Sequence, residues 1–90
     1  MRQSSTSLSR IIERNGATWH VRVVGRQRED GTWEGRVEFR NGISPPLFTD
    51  EETSQPNLQD LEYWATGLEQ VFLEGALDRA FAASAKRKGA

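Results

Sequence analysis

The sequence predicts an α+β domain: an antiparallel meander of three or four strands (β-β-β-β-α) with one long C-terminal helix packed on one sheet face. Three observations carry this. Segments 17–26 and 32–40 alternate apolar and polar residues with the two-residue period of a half-buried strand. Asn15-Gly16 precedes the first of them and Asp30-Gly31 lies between the two, and both dipeptides are strong hairpin signals. From Leu58 to about Ser84 there is no proline, and apolar residues recur at helical spacing.

In chain order, Met1 to Ser7 is polar and aperiodic and reads as a mobile arm (1–7) ahead of a single domain (8–85) and a basic tail (86–90). Leu8 to Arg14 reads as a short first strand turning at Asn15-Gly16. The alternative is a helical turn with Leu8, Ile11 and Ile12 on one face and Gly16 just past its end. In the second strand Trp19, Val21 and Val23 point one way and His20, Arg22 and Val24 the other. In the third, Trp33, Gly35, Val37 and Phe39 oppose Glu34, Arg36, Glu38 and Arg40. A three-residue loop with Gly31 left-handed sets Arg22 opposite Glu38, Arg26 opposite Glu34, Val21 opposite Phe39 and Val23 opposite Val37. Opposite charges and apolar groups then meet across the strands. Asn41 to Pro46 is a loop, and Leu47 to Thr53 a weaker, acidic strand suited to a sheet edge.

Asn57 can cap the helix, with Asp60 at its third position. Leu58, Leu61, Trp64, Ala65, Leu68, Val71, Phe72, Gly75 and Ala76 form the stripe expected to cover the sheet. Leu73, Leu77, Ala80 and Phe81 then fall on another side. About 27 helical residues reach roughly 40 Å, against roughly 30 Å for nine-residue strands, so the last turns should overhang. These four residues are therefore the expected interface of a homodimer, unless Leu8, Ile11 and Ile12 fold back over them. Gly75, on the sheet side, is expected to permit close approach beside Trp19 or Trp33. Gly67 faces outward and suggests no more than a slight bend.

Composition narrows the function. Ninety residues make one domain, and three Trp, four Phe and one Tyr supply much of its small core. The 12 Lys+Arg and 13 Asp+Glu give a net charge of −1, which provides no global attraction to a polyanion. With no cysteine there is no disulfide, thiolate nucleophile or thiolate metal site. No run approaches the roughly 18 apolar residues of a membrane span, and the N-terminus lacks an apolar signal core, so a soluble, cytoplasmic protein is expected. The glycines never assemble into a phosphate-binding loop, and Asp50-Glu51-Glu52 would point to alternating faces, so no cofactor and no metal are expected.

His20 is the single histidine, and no nucleophile or orienting carboxylate is placed beside it, which argues against an enzyme. His20, Arg22, Arg26, Arg36 and Arg40 outnumber Glu34 and Glu38 on the outer sheet face, with Phe48 at its border. Such a face could carry single-stranded nucleic acid, although cross-strand salt bridging is the favoured reading. In layout alone, a meander followed by one long helix is similar to the half-unit of Whirly and Pur-alpha type proteins, a resemblance that implies dimerisation and single-strand binding. The expected role is a small non-enzymatic interaction module, homodimeric or bound to another protein, with nucleic-acid binding as the alternative.

Overall fold

The structure, a computed structural model, describes the backbone of residues 3–88 and the side chains of residues 10–86. One antiparallel sheet contains β1 (Gln3–Arg14), β2 (Ala17–Gln27), β3 (Trp33–Arg40), β4 (Leu47–Phe48) and β5 (Thr53–Gln55). Its order is β1-β2-β3-β4, and β5 pairs with the start of β3 while β4 pairs with its end. Two helices, α1 (Leu58–Thr66) and α2 (Gln70–Lys88), pack on one face.

The turns form as their residues dictate. Asn15 and Gly16 both have positive φ, +54° and +79°, as a type I′ hairpin needs, and Arg14 pairs with Ala17. An extended strand, not a helical turn, therefore precedes them. It begins at Gln3, earlier than the expected Leu8, and its register shifts at a bulge between Ser7 and Arg10. In the second hairpin the Arg28 and Thr32 backbones bond across Glu29-Asp30-Gly31, with Gly31 at φ +90°. Asp30 Oδ1 accepts from Thr32 Oγ1 and N, which holds the Asp30 carboxyl below its usual range. The expected register forms: Arg22 faces Glu38, Arg26 Glu34, Val21 Phe39 and Val23 Val37.

The edge strand expected over 47–53 is instead interrupted. Between β4 and β5, Thr49 is fully buried, and its hydroxyl accepts the Val37 N–H at 3.0 Å while its own N–H donates to the Val37 carbonyl. A side chain thus substitutes for one ladder bond, and the edge bends there.

Gly25 and Gly35 face each other across β2 and β3 and leave a floor without side chains, on which Leu61 of α1 sits. A Cβ on Gly35 would lie 2.7 Å from Leu61 Cδ1 and 2.9 Å from Thr53 Cγ2. Asn57 caps α1 as expected, its Oδ1 accepting the Asp60 N–H at 2.8 Å.

The single long helix does not form. α1 ends at Thr66, whose hydroxyl donates to the Tyr63 carbonyl, and Gly67 closes the last turn with a tightened bond to the Trp64 carbonyl. Arg10 of β1 reaches this break and donates to the Leu68 carbonyl at 2.8 Å. After three non-helical residues, 67–69, α2 restarts in a new phase, which corrects the expected stripe. Val71 turns to solvent, 75% exposed, and Leu73, Ala76, Leu77 and Ala80 become fully buried against the sheet. Gly75 is likewise not at a close approach: a Cβ there would meet only Arg79 Nη1. Residues 86–88 of the expected tail continue α2, and residues 1, 2, 89 and 90 lie outside the described residues. Among the described residues, no helix is long and apolar enough to cross a membrane.

Candidate functional site

Of the four residues expected to form a dimer interface, the structure assigns three to the chain's own core. Leu73, Leu77 and Ala80 have no exposed surface, because the break at Gly67 rotates them under the sheet. Phe81 differs. It is 43% exposed and meets Trp19 of β2 edge-to-face, with ring centroids 5.6 Å apart and an interplanar angle of 87°.

These two rings open onto a cleft of about 370 Å³ at the end of the sheet. Its other walls are Ser44, Pro45 and Pro46 from the loop entering β4, Leu47 of β4 itself, and Ser84 and Ala85 from the last turns of α2. Sequence alone dictates much of this. The Pro45-Pro46 pair ends the loop as a stiff rim without N–H donors. The two-residue period of β2 points Trp19 inward, beside Leu47 and α2. Trp19 Nε1 is buried and has no hydrogen-bond partner among the described residues. A buried donor left unmade typically costs about 1–3 kcal/mol.

Beside the cleft lies Ile43, 92% exposed. Asn41 Oδ1 holds the loop that carries it, accepting the Ile43 N–H at 2.9 Å, the Ser44 N–H at 3.0 Å and the Ser44 hydroxyl at 3.2 Å. With those donors engaged and Pro45 and Pro46 lacking theirs, residues 43 to 46 present backbone carbonyls and no free N–H. Nothing in the apolar-polar pattern distinguishes Ile43 from an ordinary loop residue.

The outer sheet face brings together the arginines the sequence placed there, and largely neutralises them. Glu38 is 1% exposed although it lies on the outer face. Arg22 Nε and Nη2 both donate to its carboxylate, and Arg40 Nε donates at 3.0 Å. Burial pushes the Glu38 carboxyl up, but the two guanidinium groups outweigh burial and hold it below its ordinary value. Arg26 pairs with Glu34 at 3.0 Å, and Arg28 bonds Glu51 and lies 3.5 Å from Glu34. Arg36 lies over the Phe48 ring, 5.2 Å from its centroid. His20 is exposed and sits opposite Ile11 and Arg40 in the ladder.

Among the described residues, no three His, Asp or Glu side chains come close enough to hold a metal ion. Glu52 is engaged by Arg79 of α2 through three bonds of 2.6–3.1 Å, which raise the Arg79 pKa. This pair lines a smaller hollow of about 250 Å³ with Asp50, Ala82, Ala83 and Lys86. Compared with protein-family models, curated proteins and solved structures, the chain matches none, so its function must be argued from this geometry.

Proposed function

We propose that this chain is a small non-enzymatic interaction module that docks through the cleft lined by Trp19 and Phe81. The carrying observation is the open apolar cleft itself, lined by Trp19, Phe81, Pro45, Pro46 and Leu47, with Phe81 43% exposed at its wall. An apolar group would bury the Phe81 and proline surfaces. The C-terminal half of α2 keeps the docking role expected of it, but through Phe81, Ser84 and Ala85 in place of Leu73, Leu77 and Ala80. A non-catalytic role is supported by the exposed setting of the single imidazole, His20.

The test uses N-acetyl-isoleucine N-methylamide, an apolar side chain flanked by two carbonyls. Titration should move the Trp19 indole ¹H–¹⁵N cross-peak, assigned by its loss in Trp19→Phe, and Phe81→Asp should remove the response. An indole resonance that ignores the probe overturns the reading.

One observation keeps single-stranded nucleic acid as the second reading: the Arg36 guanidinium stacked on Phe48 at the sheet border. Four arginines, 22, 26, 36 and 40, face two carboxylates, Glu34 and Glu38, an excess of two charges. Binding through that face should show a slope of log K against log salt of only about −1.4, the value for two phosphates on a single strand. Single-strand binding with about that slope, lost in Arg36→Glu, would favour the nucleic-acid reading over the cleft.

A further inference from the structure

We infer that the elbow between α1 and α2 is the hinge of a domain swap, in which the two helices straighten into one and α2 covers the sheet of a second copy of this chain. The partner follows from contacts the chain makes with itself. Leu73, Ala76, Leu77 and Ala80 fit this sheet, and an identical sheet offers them the same site. α1 runs from Leu61, over Gly35 of β3, to Leu68, whose carbonyl Arg10 of β1 bonds. α2 then returns from β1, where Asp78 pairs with Arg14, to β4, where Ser84 and Ala85 share a cleft with Leu47. The elbow therefore stands over β1, an edge strand, and a straight helix carries α2 past that edge.

The hinge is nearly helical as it stands. Gly67 has φ −91° and ψ 2°, on the right-handed side, whereas a glycine that stops a helix usually takes positive φ. Its N–H and that of Leu68 donate three residues back, to the Trp64 and Ala65 carbonyls, so moving each bond back one further residue makes the turn α-helical. Residues 67–69 include no proline, and Leu68 and Glu69 are good helix formers. Two side chains hold the elbow bent. Thr66 Oγ1 takes the Tyr63 carbonyl and Arg10 the Leu68 carbonyl, the acceptors of Gly67 and Phe72 in a continuous helix. Straightening also aligns two exposed apolar side chains. Tyr63 and Val71, 81% and 75% exposed, then stand four residues on either side of Gly67 on one face. A two-fold axis at Gly67 sets Tyr63 of each helix against Val71 of the other, and both leave water. In such a dimer Trp19 meets the Phe81 ring of the other copy, and the cleft is rebuilt between chains.

Refolding the intact chain at millimolar concentration, followed by sedimentation equilibrium, should yield a dimer beside the monomer. Gly67→Ala should raise its association constant about thirtyfold, because two helix interiors each exchange glycine for alanine. The bent form tolerates that Cβ, which meets nothing nearer than 3.7 Å. Gln70→Pro should abolish the dimer and leave the monomer's melting temperature unchanged, since proline suits the first residue of α2 and not the interior of a continuous helix. Exchange itself is read with two chains, Glu52→Cys and Arg79→Cys, altered at an ion pair that α2 makes across the sheet. A short bismaleimide should join them when they are refolded together, and not when they are refolded apart and then mixed. Wild-type and Gly67→Ala chains that both stay monomeric overturn the inference. So does a dimer that survives Gln70→Pro unchanged. Should that variant fail to fold, the cysteine pair decides, and a dimer in which it never crosslinks overturns the swap.

Discussion

α1 and α2 lie on the same sheet face but are held there by different means. α1 places one large side chain, Leu61, into the hollow that Gly25 and Gly35 leave between β2 and β3. α2 lays down a longer and shallower stripe, Leu73, Ala76, Leu77, Ala80 and Ala83, flanked by an ion pair on either side, Arg14 with Asp78 and Arg79 with Glu52. Shape fixes the first contact at a point, whereas the second is spread over many small ones. A helix held at a point can end where its residues end it, and a separate helix held along its length can choose its own phase. The break at Gly67 is therefore tolerated, and it determines which residues of α2 remain for a partner.

The largest effect should separate the two phases of α2 directly. Leu77→Ala removes a fully buried side chain and should cost about 2–5 kcal/mol in denaturant unfolding. Val71→Ala, six residues earlier and exposed, should change stability by less than about 0.5 kcal/mol. In one continuous helix from Leu58 the two residues would exchange roles, so a costly Val71→Ala with a mild Leu77→Ala would restore that helix and with it the expected interface.

Gly35→Ala comes next. Its Cβ would press on Leu61 Cδ1 and Thr53 Cγ2, and overpacking of this kind costs about 1–3 kcal/mol. In a Leu61→Ala background the same substitution should cost clearly less, because half of the clash has gone. Strictly additive costs would show that Leu61 does not fill the hollow.

These substitutions bear on what could be read before the structure was known. The turn at Asn15-Gly16, the pairing of Arg22 with Glu38 and the Asn57 cap were legible because each depends on residues close in sequence or directly opposite. The helix break was not. Gly67 costs only about 1 kcal/mol in a helix interior, and the apolar residues beyond it continue a 3.6-residue rhythm that hides the three-residue interruption at 67–69. What stabilises the break is remote: Arg10, on another element, donates to the Leu68 carbonyl. The same limit applies to the candidate site. Trp19 and Phe81 each stood out in the sequence, but their contact beside the cleft depends on the phase of α2.

Glu38 extends the comparison to the opposite face, where charge replaces burial of apolar groups. Its folded pKa lies below the ordinary value of 4.5, so its contribution is present above that value and disappears as pH falls through the depressed folded one. Glu38→Gln should lower stability by about 1 kcal/mol at neutral pH, discounted because Arg22 and Arg40 remain partly solvated. The variant should also flatten the acid limb of the stability profile below pH 4.5. Parallel acid limbs in the two proteins would show that the guanidinium groups do not hold the carboxylate.

The smallest effect tests whether α2 needs its flanking charges at all. Arg79 is half exposed and Glu52 nearly buried, and the Arg79 guanidinium also lies 5.2 Å from the Phe72 ring centroid. Arg79→Leu removes the ion pair while keeping an apolar stem against that ring. Exposed pairs contribute about 0.2–1 kcal/mol, and salt screens them. The loss should therefore stay within that range and shrink further in molar salt. A loss above about 2 kcal/mol, well beyond what an exposed pair supplies, would mean that the Glu52 tie, more than the buried stripe, sets the position of α2. The phase that leaves Phe81 at the cleft would then be a product of one ion pair, and Arg79→Leu should close the cleft along with weakening the fold.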